Sequence, residues 1–406
     1  VAGQVKRAFR YRFYPTTEQA AELSRTFGWA ASVSSITRRW RSAPGPGTAS
    51  SAGSPTCSPG VALTRWKKSG ELAFLTEVSC NPLQQALRHP QTAFADFFAK
   101  RAKYRRYKSR KTSRSSAEYT RRAFTWREGR LTLAKVVESL DIGWPRPLPE
   151  GAVTVRTPVT VSRDAAGRWF VSPLCEDAIM PALAATNTVG LDAGITCLVT
   201  LSTGEKITKP RHERRDRARP ARAQRELSCK AKGSANREKD RRRVARDPAR
   251  IADWRRHFLH KLSTRLVREN QVVVIEDLTV RNQLKNRRLA RAISDTAWMD
   301  LHMMLEYKCA WYGRDLVVID CFFPSSKLCG ACGTRVAKLP LNVRACTCEC
   351  GTVHDRDVNA ERNIPAAGLA AAACGDGVRP QRESSRTGRS SVKQEHQRAT
   401  AGIPRL

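Results

Sequence analysis

Three acidic residues stand where a carboxylate can project into a shared site. Asp192 closes the apolar run Val189-Gly190-Leu191 and is followed by Ala193-Gly194, small residues that let a backbone and a phosphate approach closely. Glu276 closes Val272-Val273-Val274-Ile275, and Asp357 lies in His354-Asp355-Arg356-Asp357-Val358-Asn359-Ala360, just ahead of a helix. Carboxylates from separate elements of one sheet suit two Mg²⁺ ions about 4 Å apart, which activate water and stabilise the leaving oxygen of a phosphodiester. Each acid taken alone reads more readily as a surface group at a strand end. Their combination in a strongly basic chain is what points to phosphodiester hydrolysis.

The second chemical signal is a thiol cluster. Of 13 cysteines, five fall between Cys329 and Cys350. Cys329-Gly330-Ala331-Cys332-Gly333 is a C-x-x-C-G knuckle, and Cys348-Glu349-Cys350-Gly351 follows at zinc-ribbon distance. Four thiolates around one tetrahedral Zn²⁺ would anchor a segment with little apolar core, a structural rather than catalytic role. The second pair is C-x-C, which leaves Cys346 as a spare or as a substitute ligand. A redox pair and unligated thiols are the alternatives.

The charge says what the partner is. Lys plus Arg number 73 against 37 Asp plus Glu, a formal net charge of +36, and an excess of that size makes a polyanion the default partner. The basic residues gather in tracts at Arg101–Arg122, Lys209–Arg255 and Arg281–Arg291. Arg105, Arg106, Lys108, Arg214, Arg215, Arg217, Arg219, Arg287 and Arg288 are the expected phosphate contacts, against the plainer reading of solvated helix faces. No apolar run reaches membrane-spanning length and Val1–Arg10 lacks a signal-peptide core, so a cytoplasmic protein is expected, on the nucleoid when bound to DNA, with neither a membrane nor a small-molecule substrate as partner.

The elements that must position these groups fall into two textures. Ala8–Tyr14 alternates Phe9, Tyr11 and Phe13 with Arg10 and Arg12, a half-buried strand, and Thr16 with Gln19 forms a capping box opening a helix. Ser35–Ala62 is rich in Ser, Gly, Pro and Ala and is expected to be disordered. Helical signals return over Leu63–Lys108. Phe124–Leu133 and Val159–Ser172 read as hairpins, the second pairing Val159–Ser162 with Arg168–Val171. From Thr188 the pattern is α/β: a buried strand at Val189–Asp192, a hairpin around Ser202-Thr203-Gly204, a long helical region His212–Arg268, a strand at Val272–Ile275, a helix capped near Ser294 or Asp295 and stopping at Gly313, and a strand at Leu316–Ile319. Residues 375–406 are expected to be a disordered tail.

Four motifs occur in an order typical of one family: Val189–Gly194, Val274-Ile275-Glu276-Asp277-Leu278, Ser325-Ser326-Lys327 leading into the first knuckle, and His354–Ala360. On these motifs the chain resembles TnpB, the OrfB-type proteins of bacterial insertion sequences, related to the type V CRISPR nucleases. The resemblance implies an α/β plus β architecture. Its parts would be an RNase H-like (RuvC) nuclease domain at 186–373 with a zinc ribbon inserted at 326–353, and a small wedge-like β-barrel from 1–15 and 118–178, interrupted by a helical recognition lobe at 16–117. It also implies a guide RNA from the element's end and RNA-guided cleavage of target DNA beside a short element-specific motif. Asp192, Glu276 and Asp357 fall on the family's Mg²⁺-binding catalytic positions, and Cys329, Cys332, Cys348 and Cys350 on its zinc ligands.

The chain departs from the family pattern at Ser35–Gly60, whose composition is that of a GC-rich gene read in a shifted frame, and at Cys346. Pro173, Pro220, Pro248 and Pro365 also fall inside expected strands or helices, where an interior helix proline costs about 3 kcal/mol. The alternative reading is a catalytically impaired, nucleic-acid-binding relic of such a protein.

Overall fold

The computed structural model describes residues 3–42, 59–68, 74–103, 115–145, 148, 158–208, 218–336, 339, 343 and 345–373. The expected contacts Arg105, Arg106, Lys108, Arg214, Arg215 and Arg217 and the tail 375–406 lie outside these residues, as does the side chain of Arg219.

The N-terminal part is a five-stranded antiparallel sheet. Its path is β1 (Gly3–Ala8), β7 (Trp169–Ile179), β6 (Val159–Arg163), β3 (Ser115–Tyr119), with β2 (Tyr11–Phe13) also on β7. The single strand expected at Ala8–Tyr14 is two, and Pro173 explains the gap. β1 and β2 keep one register along β7, from Ala8↔Leu174 to Tyr11↔Val171. Between them lies Pro173, which has no N–H to donate; its carbonyl accepts from the Phe9 amide at 3.1 Å. The β6–β7 hairpin pairs two residues further along β7 than the sequence reading has it, Val159↔Pro173 to Arg163↔Trp169. The hairpin β4 (Phe124–Arg127) and β5 (Arg130–Leu133) completes this part. Phe9, Tyr11 and Phe13 are buried with Leu23, Phe27, Tyr119, Val161, Trp169 and Val171, while Arg10 and Arg12 face out as alternation requires.

Helix α1 (Thr17–Ser42) opens on the expected capping box: the Thr16 amide donates to Gln19 Oε1 at 3.2 Å and the Gln19 amide to Thr16 Oγ1 at 3.3 Å. It runs eight residues past the point where disorder is expected to begin, and α2 (Pro59–Lys68) starts before the expected end of that stretch. Once a helix is nucleated, each added Ser, Thr or Arg costs at most about 0.7 kcal/mol relative to Ala, so composition alone does not end it. Residues 43–58 of the stretch lie outside the described residues. Helix α3 (Cys80–Phe98) buries Leu83 and Leu87 against Val33, Leu63, Trp66 and Leu75.

The second part is a mixed sheet in the order β10 (Lys206–Thr208), β9 (Cys197–Leu201), β8 (Thr188–Ala193), β11 (Val272–Glu276), β12 (Asp315–Ile319). β8, β11 and β12 are parallel; β9 and β10 return antiparallel. Helices cover both faces, which is why Val272–Ile275 reads as an unbroken apolar run. On one face Leu259, Leu262 and Leu266 of α5 (Ala235–Glu269) and Trp298, Leu301 and Leu305 of α8 (Trp298–Tyr312) pack on Val189, Leu191 and Val273. On the other, Ile364 of α9 (Arg356–Ala373) packs on Val274, Val317 and Ile319.

The long basic helical region is two helices, α4 (Ala218–Ser228) and α5, parted at Gly233, whose φ is +90°. The helix expected to be capped at Ser294 or Asp295 starts later, at Trp298. Those residues belong to α7 (Ala290–Thr296), which follows the short α6 (Val280–Gln283), and the two helices join at Ala297 in the left-handed region. α8 stops at Gly313 as expected.

None of the four prolines breaks its element. Pro220 is in the first turn of α4, where no N–H is needed, α5 and α9 run through Pro248 and Pro365, and β7 continues past Pro173.

Candidate active site

Parallel pairing brings the first two carboxylates together. β8 and β11 are in register from Thr188↔Val272 to Leu191↔Ile275, so Asp192 and Glu276 are the next residue on each of two adjacent strands. Asp357 arrives from the other face in the first turn of α9, which packs on β8. Of the two acids of that motif, Asp355 is occupied locally. Its Oδ1 accepts from the amides of Asp357 (3.0 Å) and Val358 (3.1 Å), capping the helix, and its other oxygen lies 3.6 Å from Lys206 Nζ. Asp357, one step into the turn, is the acid presented to the strand ends.

Burial, then the charges of Glu276 and Asp357, push Asp192 up to about 7, with Arg356 opposing. Burial also raises Glu276, while the Ser325 hydroxyl, donating to its Oε1 at 2.6 Å, holds it down. Mutual repulsion among partly buried carboxylates is what a divalent cation relieves, so the donor set fits Mg²⁺. Gly194, expected to make room for a phosphate, has a different role: a Cβ there would stand 2.9 Å from the Cys197 carbonyl oxygen, so it permits the tight β8–β9 turn.

The thiols of Cys329, Cys332, Cys348 and Cys350 all lie within 4.8 Å of one another, and among the described residues the carboxylates form no comparable group. Cys346 is outside the cluster, on β13 (Ala345–Thr347) opposite His354 of β14 (Val353–Asp355). Two residues after a ligand in each knuckle stands a threonine. Thr334 holds Cys332 down to about 6 through its hydroxyl and amide, and Thr352 lowers Cys350 in the same way. Thiolates close enough to share one tetrahedral ion fit Zn²⁺.

Two asparagines, Asn359 quoted in the last motif without a role and Asn363 unmarked in the sequence, join the knuckle to the acidic helix. Asn359 accepts from the Gly330 amide at 2.9 Å and donates to the Leu328 carbonyl at 2.6 Å; Asn363 donates to the carbonyls of Ser325 (2.8 Å) and Leu328 (2.7 Å). Both are buried. Their spacing of four residues, on the face of α9 that carries no apolar anchor, was the available signal. Ser325, quoted in the family motif, acquires its function only here, as the donor to Glu276. Arg287 and Arg288 are exposed between α6 and α7.

Residues 158–287 match the OrfB_IS605 family model, described as "Probable transposase"; 298–364 match the Cas12f1-like TNB domain, and 5–33, here two strands and the start of α1, a model described as a helix-turn-helix domain. A Streptomyces pristinaespiralis protein named as an RNA-guided DNA endonuclease is 73% identical over 403 residues, 99% of each chain. InsQ of Escherichia coli K12, named likewise, is 32% identical over 78% of this chain and 81% of its own length. The protein of a Cas12f1–sgRNA–target DNA complex superposes with a TM-score of 0.47 at 10% identity, covering 89% of this chain and 99% of that one. By its similarity to the Streptomyces and Escherichia coli proteins over most of the length of each, and with acidic residues at the ends of adjacent parallel strands of its mixed sheet, the chain belongs to the TnpB family of OrfB-type insertion-sequence proteins.

Proposed function

We propose that this chain is an RNA-guided DNA endonuclease of an insertion sequence, with Asp192, Glu276 and Asp357 as its Mg²⁺-binding catalytic carboxylates. The observation that carries the reading is the convergence of Asp192 and Glu276, from adjacent parallel strand ends, with Asp357 from the helix across the sheet. Bound there, Mg²⁺ would activate water and neutralise charge building on the phosphodiester. The chain's own work is to hold the three acids in place: Ser325 orients Glu276, and the Asp355 cap sets the first turn that presents Asp357. Cys329, Cys332, Cys348 and Cys350 hold a structural Zn²⁺. Asn359 and Asn363 lock that ribbon to α9, so zinc supports the geometry of the carboxylates without touching substrate.

The N-terminal sheet and α1–α3 form the wedge-like barrel and recognition lobe. Guide RNA and target DNA are held by the basic tracts, including Arg287 and Arg288, which neutralise phosphate, while base pairing to the guide selects the sequence.

The test is purified protein with the element-end RNA, Mg²⁺ and plasmid carrying the target and its flanking motif. Cleavage by the native chain and none by Asp192→Ala, with RNA binding kept by both, is expected. Native protein that binds RNA yet leaves every plasmid intact would overturn the reading in favour of a binding relic.

A further inference from the structure

Glu361 is the one acid near the site whose position its surroundings do not explain. It lies four residues after Asp357 on α9 and four before Pro365, on the face turned to β8: a Cβ on Gly190 would collide with the Pro365 ring and stand 2.9 Å from the Glu361 carbonyl oxygen. Its relative exposure is 0%, and neither carboxylate oxygen has a hydrogen-bond partner. Lys206, the cation that acts most strongly on it, is directed to Asp355. A carboxylate has about four lone-pair sites, and leaving them all unmet in the interior is among the costlier arrangements a protein can hold. Asn359, buried beside it, is engaged through both amide atoms and Asn363 through its Nδ2, so poor packing of α9 is not the cause. Asp192 lies close enough for its charge to add to the burial that raises Glu361.

We infer that Glu361 is a fourth acidic group of the divalent-cation site, contributing its carboxylate to an ion that Asp192 and Asp357 also hold. This rests on the proposed assignment of those two residues as cation ligands. A hard cation that prefers several oxygen donors is the species that satisfies carboxylates presented from a helix and from the strand end beside it. The competing account is a carboxylic acid kept neutral by burial alone.

Mn²⁺, followed by its free-ion EPR signal, tests the inference on the full-length chain with its zinc retained, comparing native protein with Glu361→Gln, Glu361→Leu and Asp192→Asn. Gln mimics the neutral acid in shape and hydrogen bonding. The expected result is a Mn²⁺ affinity at least tenfold weaker in Glu361→Gln and Glu361→Leu. Their melting temperature in metal-free buffer should equal or exceed that of native protein, with a smaller rise on adding Mn²⁺. Native affinity in Glu361→Gln, with Asp192→Asn still impaired, overturns the role of Glu361 and leaves the catalytic assignment standing. Native affinity in Asp192→Asn as well, or no Mn²⁺ binding by native protein, overturns both. If Glu361→Leu fails to fold, Glu361→Gln alone decides.

Discussion

Asp192 is placed to be a problem for the metal-free protein. The folded side chain keeps its proton up to about pH 7, whereas in the unfolded chain an Asp releases it near about 4. Across that interval the folded state binds more protons, so this group's contribution to stability is complete below pH 4 and is lost as pH rises towards 7. In Mg²⁺-free buffer the melting temperature should therefore decline from pH 5 to 7.5. Asp192→Asn should flatten the decline, and added Mg²⁺ should restore stability to the native protein at the upper end only. A native profile that is flat without Mg²⁺ would show that burial and the neighbouring carboxylates do not raise Asp192 as the geometry has it. Ser325→Ala removes the hydroxyl that opposes the burial of Glu276. It should cost about 1 kcal/mol of stability and lower the cleavage rate while leaving RNA affinity unchanged, as read by denaturant melts beside filter binding.

At the level of elements, α9 carries Asp357 at its first turn, Asn359 and Asn363 to the zinc knuckle, and Pro365 against Gly190. Two of these contacts can be broken without touching a carboxylate. Gly190→Ala forces a methyl into the Pro365 ring and should destabilise by about 1–3 kcal/mol, as overpacking does, with cleavage lost because α9 is pushed off β8. Asn363→Ala takes the side-chain donor from the Ser325 carbonyl and one of two from the Leu328 carbonyl, and should cost about 1–3 kcal/mol, with zinc content by elemental analysis kept near one per chain. Cys329→Ser, by contrast, should lose the zinc and unfold the ribbon, since thiolate ligation supplies most of that segment's folding free energy. A variant lacking Cys329 that retained stoichiometric zinc would remove that thiol from the ligand set.

For the whole molecule, the +36 formal charge sets how binding responds to salt. If about 8 phosphates are neutralised, log affinity for RNA should fall linearly against log salt with a slope near about −6 for single strands. Replacing Arg287 and Arg288 by Gln should reduce that slope by about 1 to 2 units and weaken all sequences alike. An unchanged slope would return these arginines to the status of a solvated loop. The two parts of the chain are also tied by charge. Arg168, in the β6–β7 turn region, pairs with Asp164 at 2.7 Å and reaches Asp253 of α5 at 2.6 Å, an ion pair that links α5 to the N-terminal sheet.

What the sequence determined by itself was chemistry carried by short contiguous runs. The strand-ending Asp192 and Glu276, the two cysteine knuckles, the Thr16–Gln19 capping box and the sign of the charge are legible because each depends on neighbours within a few residues. The strand break opposite Pro173 and the two-residue shift in the β6–β7 pairing were not, since both depend on which residues face each other across a sheet, and alternation alone fits several registers. Nor was the extension of α1 through Ser42, because helix propagation is cooperative and composition is judged residue by residue. Only the tertiary structure decided that Asp355 caps a helix while Asp357 faces the strands, that Asn359 and Asn363 join zinc ribbon to acidic helix, and that Glu361 is buried without a partner. In the sequence Glu361 is one acid among 37. Its singularity comes from α9 lying close against β8, where both its carboxylate oxygens are buried without a hydrogen-bond partner.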